Sequence, residues 1–146
     1  MRLNLQSDYS LRLLMHLAVN PQRRVTIAEI ANRFRISQNH LMKVAYLLGK
    51  EGFIETVRGR AGGLQLARKP EAIRVGDVVR RMEGNIQLAD CLAAEPNACI
   101  LSRACRLRGV LDEALDAFLD VLDRYTLADL AASTKLRMLL DQEPAR

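Results

Sequence analysis

Apolar positions in the first part of the chain recur with the period of a helix. Leu11, Leu14, Met15 and Ala18 fall at i, i+3, i+4 and i+7, Ser7 stands where a cap is wanted, and Asn20-Pro21 ends the run. Thr26-Ile27-Ala28-Glu29 has the form of a capping box and opens a short helix striped by Ile27, Ile30, Ala31 and Phe34. Arg33 to Ile36 then make a tight connection to Ser37, the next cap. From Gln38 the stripe Leu41, Val44, Ala45, Leu48 runs to Gly52, a natural C-terminal glycine. Two short helices joined in this way predict a helix-turn-helix.

After Gly52 the period shortens to two. Phe53 to Val57 and Leu64 to Ala67 predict strands, with the basic, glycine-rich turn Arg58-Gly59-Arg60-Ala61-Gly62-Gly63 between them. That turn lacks the lysine and following helix of a nucleotide-binding loop, and a basic hairpin after a helix-turn-helix has the form of a wing. Pro70 begins a connection, and Ile73 to Glu83 reads as a short amphipathic helix. From Leu107 one long helix is expected. Leu111, Leu115, Phe118, Leu122 and Tyr125 form a heptad seam, and Val110, Ala114, Ala117 and Val121 form a second apolar row beside it. A helix apolar on two rows buries both, one against its own domain and one against a two-fold related copy. Asp112, Glu113, Asp116, Asp120 and Asp123 leave its remaining face acidic, and Thr126 to Asp129 offers a cap for one final short helix before a polar tail. The fold expected is mainly α with a small β wing: a winged helix-turn-helix plus a long dimerisation helix. It divides into a DNA-binding region over 1–74, a connecting helix and cysteine loop over 75–106, and the dimerisation and C-terminal helices over 107–146.

Composition narrows the class. At 146 residues the chain favours one domain, or one small domain with an appended segment, and 49% hydrophobic with 27% charged residues excludes an intrinsically disordered chain. No apolar run approaches the roughly 18 residues of a membrane span, and Met1-Arg2-Leu3-Asn4 does not begin a signal peptide, so a cytoplasmic protein without a membrane partner is expected. Charge divides unevenly. Residues 1–86 hold 15 Lys and Arg against 7 Asp and Glu, and residues 87–146 hold 7 against 10. The basic half points to double-stranded DNA as a partner. Ser37, Gln38, Asn39 and His40 occupy the first turn of the second helix, where side chains reach base edges, and Asn or Gln can bond adenine bidentately. Lys43, one turn on, can reach phosphate, and Arg58 and Arg60 can enter a narrow minor groove.

Cys91, Cys99 and Cys105 lie close in sequence, separated by seven and five residues. Neither gap is the C-x-x-C of a zinc ribbon or thioredoxin-like site. Three cysteines from a loop can hold an iron-sulfur cluster if a fourth ligand comes from elsewhere, and Arg103, Arg106 and Arg108 would offset its charge. Structural zinc, a thiol-disulfide pair and buried structural cysteines are the competing readings. Cys-His catalysis is the weakest, because His16 and His40 lie on helices far along the chain from the thiols, and no enzyme is expected.

Ser7-Asp8-Tyr9-Ser10-Leu11-Arg12, Ser37 to Lys43, Val57 to Gly63, Ile73 to Val79, the three cysteines and Tyr125 to Leu130 together resemble a known family, the winged-helix iron-sulfur repressors. Asn39-His40-Leu41-Met42-Lys43 and Tyr125-Thr126-Leu127-Ala128-Asp129-Leu130 are most similar to its nitric-oxide-sensing branch. Another branch places a histidine ligand shortly after the third cysteine, where this chain has Arg106, Leu107 and Arg108. The resemblance implies a 4Fe-4S cluster, or 2Fe-2S after degradation in air, on three cysteines and an aspartate near the N-terminus of the partner subunit; Asp8 matches that position. His16, Asp90 and Glu95 are the substitutes for Asp8. The first cysteine gap is longer than the family's usual spacing. The function implied is a homodimeric repressor that holds a palindromic operator while its cluster is intact and releases it on reaction with nitric oxide. A sensor of iron-sulfur status or redox state, and a zinc-stabilised DNA-binding protein, are the alternatives.

Overall fold

The computed structural model of the chain describes residues 2–92, 99–101 and 104–141. The loop 93–98 with Glu95, Arg103, and the tail from Gln142 lie outside the described residues. Helix α1 spans Leu5–Val19, and its cap is Asn4 rather than Ser7: the Asn4 side chain accepts the Ser7 N–H at 2.8 Å, while the Asn4 N–H donates to Glu83 at 2.8 Å. Ser7 lies inside the helix, fully buried. The inward face is also rotated from the expected stripe. Leu13, Leu14, Leu17 and Ala18 are buried with Ser7 and Ser10, whereas Leu11 and Met15 are half-buried. Two serines on the packed face removed half of its hydrophobic signal, and the flanking Leu11 and Met15 supplied a false one.

Helix α2 spans Ile27–Phe34 and is capped by Thr26, which accepts the Glu29 N–H. The Glu29 carboxylate turns to Arg23 and His16, so the reciprocal half of the expected box gives way to an ion pair. The turn that follows places Arg35 in the left-handed region at φ 53°, ψ 45°, with its N–H donating to the Ala31 carbonyl. A side chain there costs about 1–2 kcal/mol. A cation at the carboxyl end of α2 returns about 0.3–1 kcal/mol, which does not cover it.

Helix α3 spans Gln38–Lys50, with Ser37 capping it through the His40 N–H and the expected stripe Leu41, Val44, Ala45, Leu48 buried. Gly52, at φ 73°, reverses the chain into the hairpin. Strands β1 (Ile54–Val57) and β2 (Gly63–Leu66) pair antiparallel, Ile54 opposite Leu66 and Val57 opposite Gly63. A bridge between Val25 and Leu64 ties β2 to the segment before α2.

Past a 3₁₀ turn at Pro70–Ala72, helix α4 (Val75–Glu83) packs on α1. Helix α5 (Arg106–Asp123) packs on α4, and α6 (Leu127–Ala131) and α7 (Thr134–Asp141) return to α1. The end of the chain thus forms two helices after α5 where one was expected. Leu127 and Ala131 join Leu13, Leu17, Leu41, Ile73 and Val78 in one core, each buried large side chain contributing about 1.5–3 kcal/mol. The return is pinned by the backbone: Val75 N–H donates to the Tyr125 carbonyl and Leu127 N–H to Ile73, both at 2.9 Å. Thr126 and Asp129 complete a true capping box.

Within one chain no residue of α5 is buried. Leu111, Leu115, Phe118 and Leu122 are half-covered, and Val110, Ala114, Ala117 and Val121 are exposed. Tyr125 lies beyond the helix and is half-exposed, so the seam ends at Leu122. Asp123 accepts both guanidinium nitrogens of Arg80, at 2.6 and 2.7 Å, and locks the carboxyl end of α5 to α4.

Candidate nucleic-acid interface and thiol region

The first turn of α3 is open to solvent. Ser37, Gln38, Asn39, His40 and Lys43 are all exposed, while Leu41 and Val44 hold the opposite side of the helix to the core. The Ser37 hydroxyl is used as the cap, and its neighbours present their amides and imidazole outward. The His40 ring lies 6.3 Å from the Tyr9 ring of α1, tilted by 38°. The start of α3 therefore lies against the residue next to Asp8.

Arg58 and Arg60 are exposed at the hairpin tip. Their loop is held by the Gly62 N–H to Gly59 carbonyl bond at 2.9 Å, and any Cβ on Gly62 would collide with the carbonyls of Val57 and Gly59. Arg24 donates to the Ala61 carbonyl at 2.9 Å, fastening the tip to the turn before α2.

Eight of the described arginines are held within the chain. Arg12, Arg23, Arg80 and Arg81 pair with carboxylates, and Arg24, Arg33, Arg68 and Arg137 bond carbonyl oxygens. Among the cations with no such partner in the described residues, which also include Arg2, Arg74, Arg106, Arg108 and Arg124 elsewhere, Arg35, Lys43, Arg58 and Arg60 cluster at the α2–α3 turn, on α3 and on the wing. Unpaired cations are what a phosphate-binding face requires.

The angle between α1 and α2 is set by a buried polar contact. His16, with no exposed surface, meets Glu29 at 3.2 Å, and Arg23 bonds the same carboxylate at 2.8 Å. Burial pushes the His16 imidazole below its ordinary range, against the pull of Glu29. The Arg23 hydrogen bond holds the Glu29 carboxyl below its own. His16 thus serves the packing of the helix-turn-helix.

Of the thiols, Cys91 lies in a 3₁₀ turn at Asp90–Leu92 that packs against α5, Cys105 is the residue capping α5, and Cys99 is exposed between them. All three are free, and Cys91 and Cys105 are half-buried. Among the described residues no three cysteine, histidine or acidic side chains converge within one chain. Asp8, in the first turn of α1, pairs with Arg12 at 2.9 Å with its side chain 40% exposed. The amino end of α5, at Cys105, has no side-chain cap and no acid in its first turn.

Three structural features of this face escaped the sequence pattern. Arg24 as a wing anchor and the Tyr9–His40 contact depend on tertiary distances that carry no local signal. Arg35 had one: it occupies a helix end where glycine or asparagine is usual.

The chain matches the Rrf2 family, described as iron-dependent transcriptional regulators, over residues 3–133. It is 50% identical over 142 residues to the HTH-type transcriptional regulator NsrR of Shouchella clausii, covering 96% of this chain and 95% of that one. Among solved structures it is similar to oxidized CymR of Staphylococcus aureus, with TM-score 0.72, 30% identity, and 92% and 98% of the two chains covered. It is also similar to IscR of T. potens, with TM-score 0.72, 27% identity, and 90% and 87% covered. These neighbours bear out the winged-helix architecture. No helix among the described residues is long and apolar enough to cross a membrane.

Proposed function

The chain belongs to the Rrf2 family of iron-dependent transcriptional regulators, which are not enzymes, and from that membership we propose a cytoplasmic homodimeric repressor whose hold on a palindromic operator is controlled by nitric oxide. The observation that carries DNA binding is the exposed polar turn Ser37 to His40, flanked by the unpaired cations Lys43, Arg58 and Arg60. Helix α3 enters the major groove with Gln38 and Asn39 at base edges, and the wing follows the adjoining backbone. The outward row of α5 meets the partner's α5, which presents the basic regions 1–74 of both chains to one duplex.

The donor set fits an iron-sulfur cluster. Three free thiols, one at an uncapped helix amino end, suit soft sulfide-bridged iron and the negative charge of the assembly. Cys91, Cys99 and Cys105 would hold a 4Fe-4S or 2Fe-2S cluster, with the partner's Asp8 as the fourth ligand. When bound, the cluster supplies iron that reacts with nitric oxide. With a cluster bound, Asp8 would be the hard oxygen donor among sulfurs; in its own chain it pairs with Arg12 at 2.9 Å. Asp8 adjoins Tyr9, whose ring lies 6.3 Å from that of His40, so a change of partner at Asp8 would lie close to the start of α3.

Anaerobic purification with iron and sulfide analysis, followed by titration of DNA binding with nitric oxide, tests the proposal. Iron and sulfide in equal amounts and release of the duplex are expected. Zinc in place of iron, or a duplex retained at excess nitric oxide, would overturn it.

A further inference from the structure

We propose that Arg35 is a phosphate contact, a guanidinium held against the DNA backbone at the edge of the groove that α3 enters; this rests on the reading of α2 and α3 as a DNA-binding pair. Arg35 is the one non-glycine residue with positive φ among the described residues. Its backbone is fixed without help from its side chain. The Arg35 N–H and the Ile36 N–H both reach the Ala31 carbonyl, Ile36 is buried, and Ser37 caps the next helix. Glycine or asparagine would make the same turn with less strain, so the fold gives no reason for an arginine.

The side chain is exposed and has no hydrogen bond or ion pair among the described residues, although Arg33, two positions earlier, bonds the Leu139 carbonyl of α7. No acidic residue occurs between Glu29 and Glu51, so the local sequence offers Arg35 no carboxylate. A strained, unpartnered cation on the surface points to an anion outside the chain. Its place in the fold says which anion. In a helix-turn-helix the first helix crosses the backbone and the second lies in the groove, which puts the turn between them over the phosphates. A phosphodiester is the ligand class, and the contact carries register rather than sequence.

The test compares the parent, Arg35→Gly, Arg35→Asn and Arg35→Lys on two labelled duplexes, one selected by the parent from a randomised pool and one of unrelated sequence, across a salt series. Arg35→Gly and Arg35→Asn should melt at or above the parent temperature and bind both duplexes more weakly by a common factor. Their slope of log affinity against log salt should be shallower by about 0.9, so that the deficit narrows about 3.5-fold between 50 and 200 mM salt. Arg35→Lys should keep the parent slope. Unchanged affinity and slope in the glycine and asparagine variants would overturn the contact, and so would a loss confined to the selected duplex, which marks a base contact. A parent that binds neither duplex overturns the DNA-binding reading itself, whereas a parent that binds beside unaltered variants overturns the Arg35 contact alone.

Discussion

Truncating Leu127 to alanine asks whether the end of the chain is structurally part of the DNA-binding body. Leu127 has no exposed surface, opens α6, and shares a core with Leu13 and Leu17 of α1. Its N–H bond to Ile73 is made by the backbone and survives the change. What is lost is the burial of three carbons, plus a cavity that the short α6 can only partly close. Such truncations cost about 2–5 kcal/mol, and a value near 3 is expected at the edge of a five-residue helix. For a chain of this size each kcal/mol lowers Tm by about 2–4 °C, so the midpoint should fall by about 6–12 °C. Far-UV circular dichroism and anisotropy of a bound labelled duplex should report a single, shared midpoint, because α1, α3 and α6 melt together. At 10 °C, where the variant remains folded, its affinity should equal the parent's. Two separate transitions, with the duplex still bound after the first, would refute the shared core, as would a midpoint shift under 2 °C.

Ala117→Glu, on the exposed row of α5, should leave the folded chain intact but bury an unpaired charge in the proposed dimer, costing about 3–5 kcal/mol of association; a variant that still sediments as a dimer places the interface elsewhere. Asp8→Ala should keep iron on the three cysteines while the affinity ratio between cluster-bound and cluster-free protein shrinks from the 5- to 150-fold typical of allostery; an unaltered ratio removes Asp8 as the link. Gly62→Ala forces the wing tip to shift and should weaken DNA binding with little change in Tm, and an unchanged affinity would mean that the tip does not touch the duplex. His16 is held below its ordinary 6.5, so the unfolded chain takes up more protons in that window, and stability should fall as pH drops from about 6.5 toward the depressed value and then level off. Denaturant melts of the parent and His16→Gln test this: the variant should be flatter there, and equal slopes would assign the pH dependence to other groups.

The second half of the helix-turn-helix was legible because nothing competed with its pattern: Leu41, Val44, Ala45 and Leu48 are the buried residues of α3, and Ser37 and Gly52 bracket them. The wing was legible for the same reason, its glycines being required by backbone approach. Helix α1 misled because a helix face packed closely on a neighbour can use serine, and hydropathy does not recognise Ser7 or Ser10 as interior. The return of α6 and α7 was hidden because the burial of Leu127 depends on partners more than a hundred residues earlier, on α1. Gln38, Asn39, Arg58 and Arg60 are exposed, as their residue types imply. Arg35 eluded the reading because its backbone angle, not its chemistry, makes it unusual.

The two ends of α5 are held very differently. Its carboxyl end is clamped by Arg80 and by the backbone bonds around Tyr125 and Leu127, while its amino end begins at Cys105. Eighteen residues of helix make a rod of about 27 Å, and a tilt of about 10° about the clamp carries the cysteine end through about 5 Å. The rod works equally in the other direction. In the proposed dimer, a tilt of that size of α5 relative to the partner's α5 would turn the clamped body, α3 included, through the same angle, and two-fold symmetry would double the rotation between the two bodies. In the proposed dimer the helix would act as a crank, converting a shift of a few ångströms at one end into a change of pitch between the two α3 helices, which a rigid duplex with fixed half-site phasing could not follow.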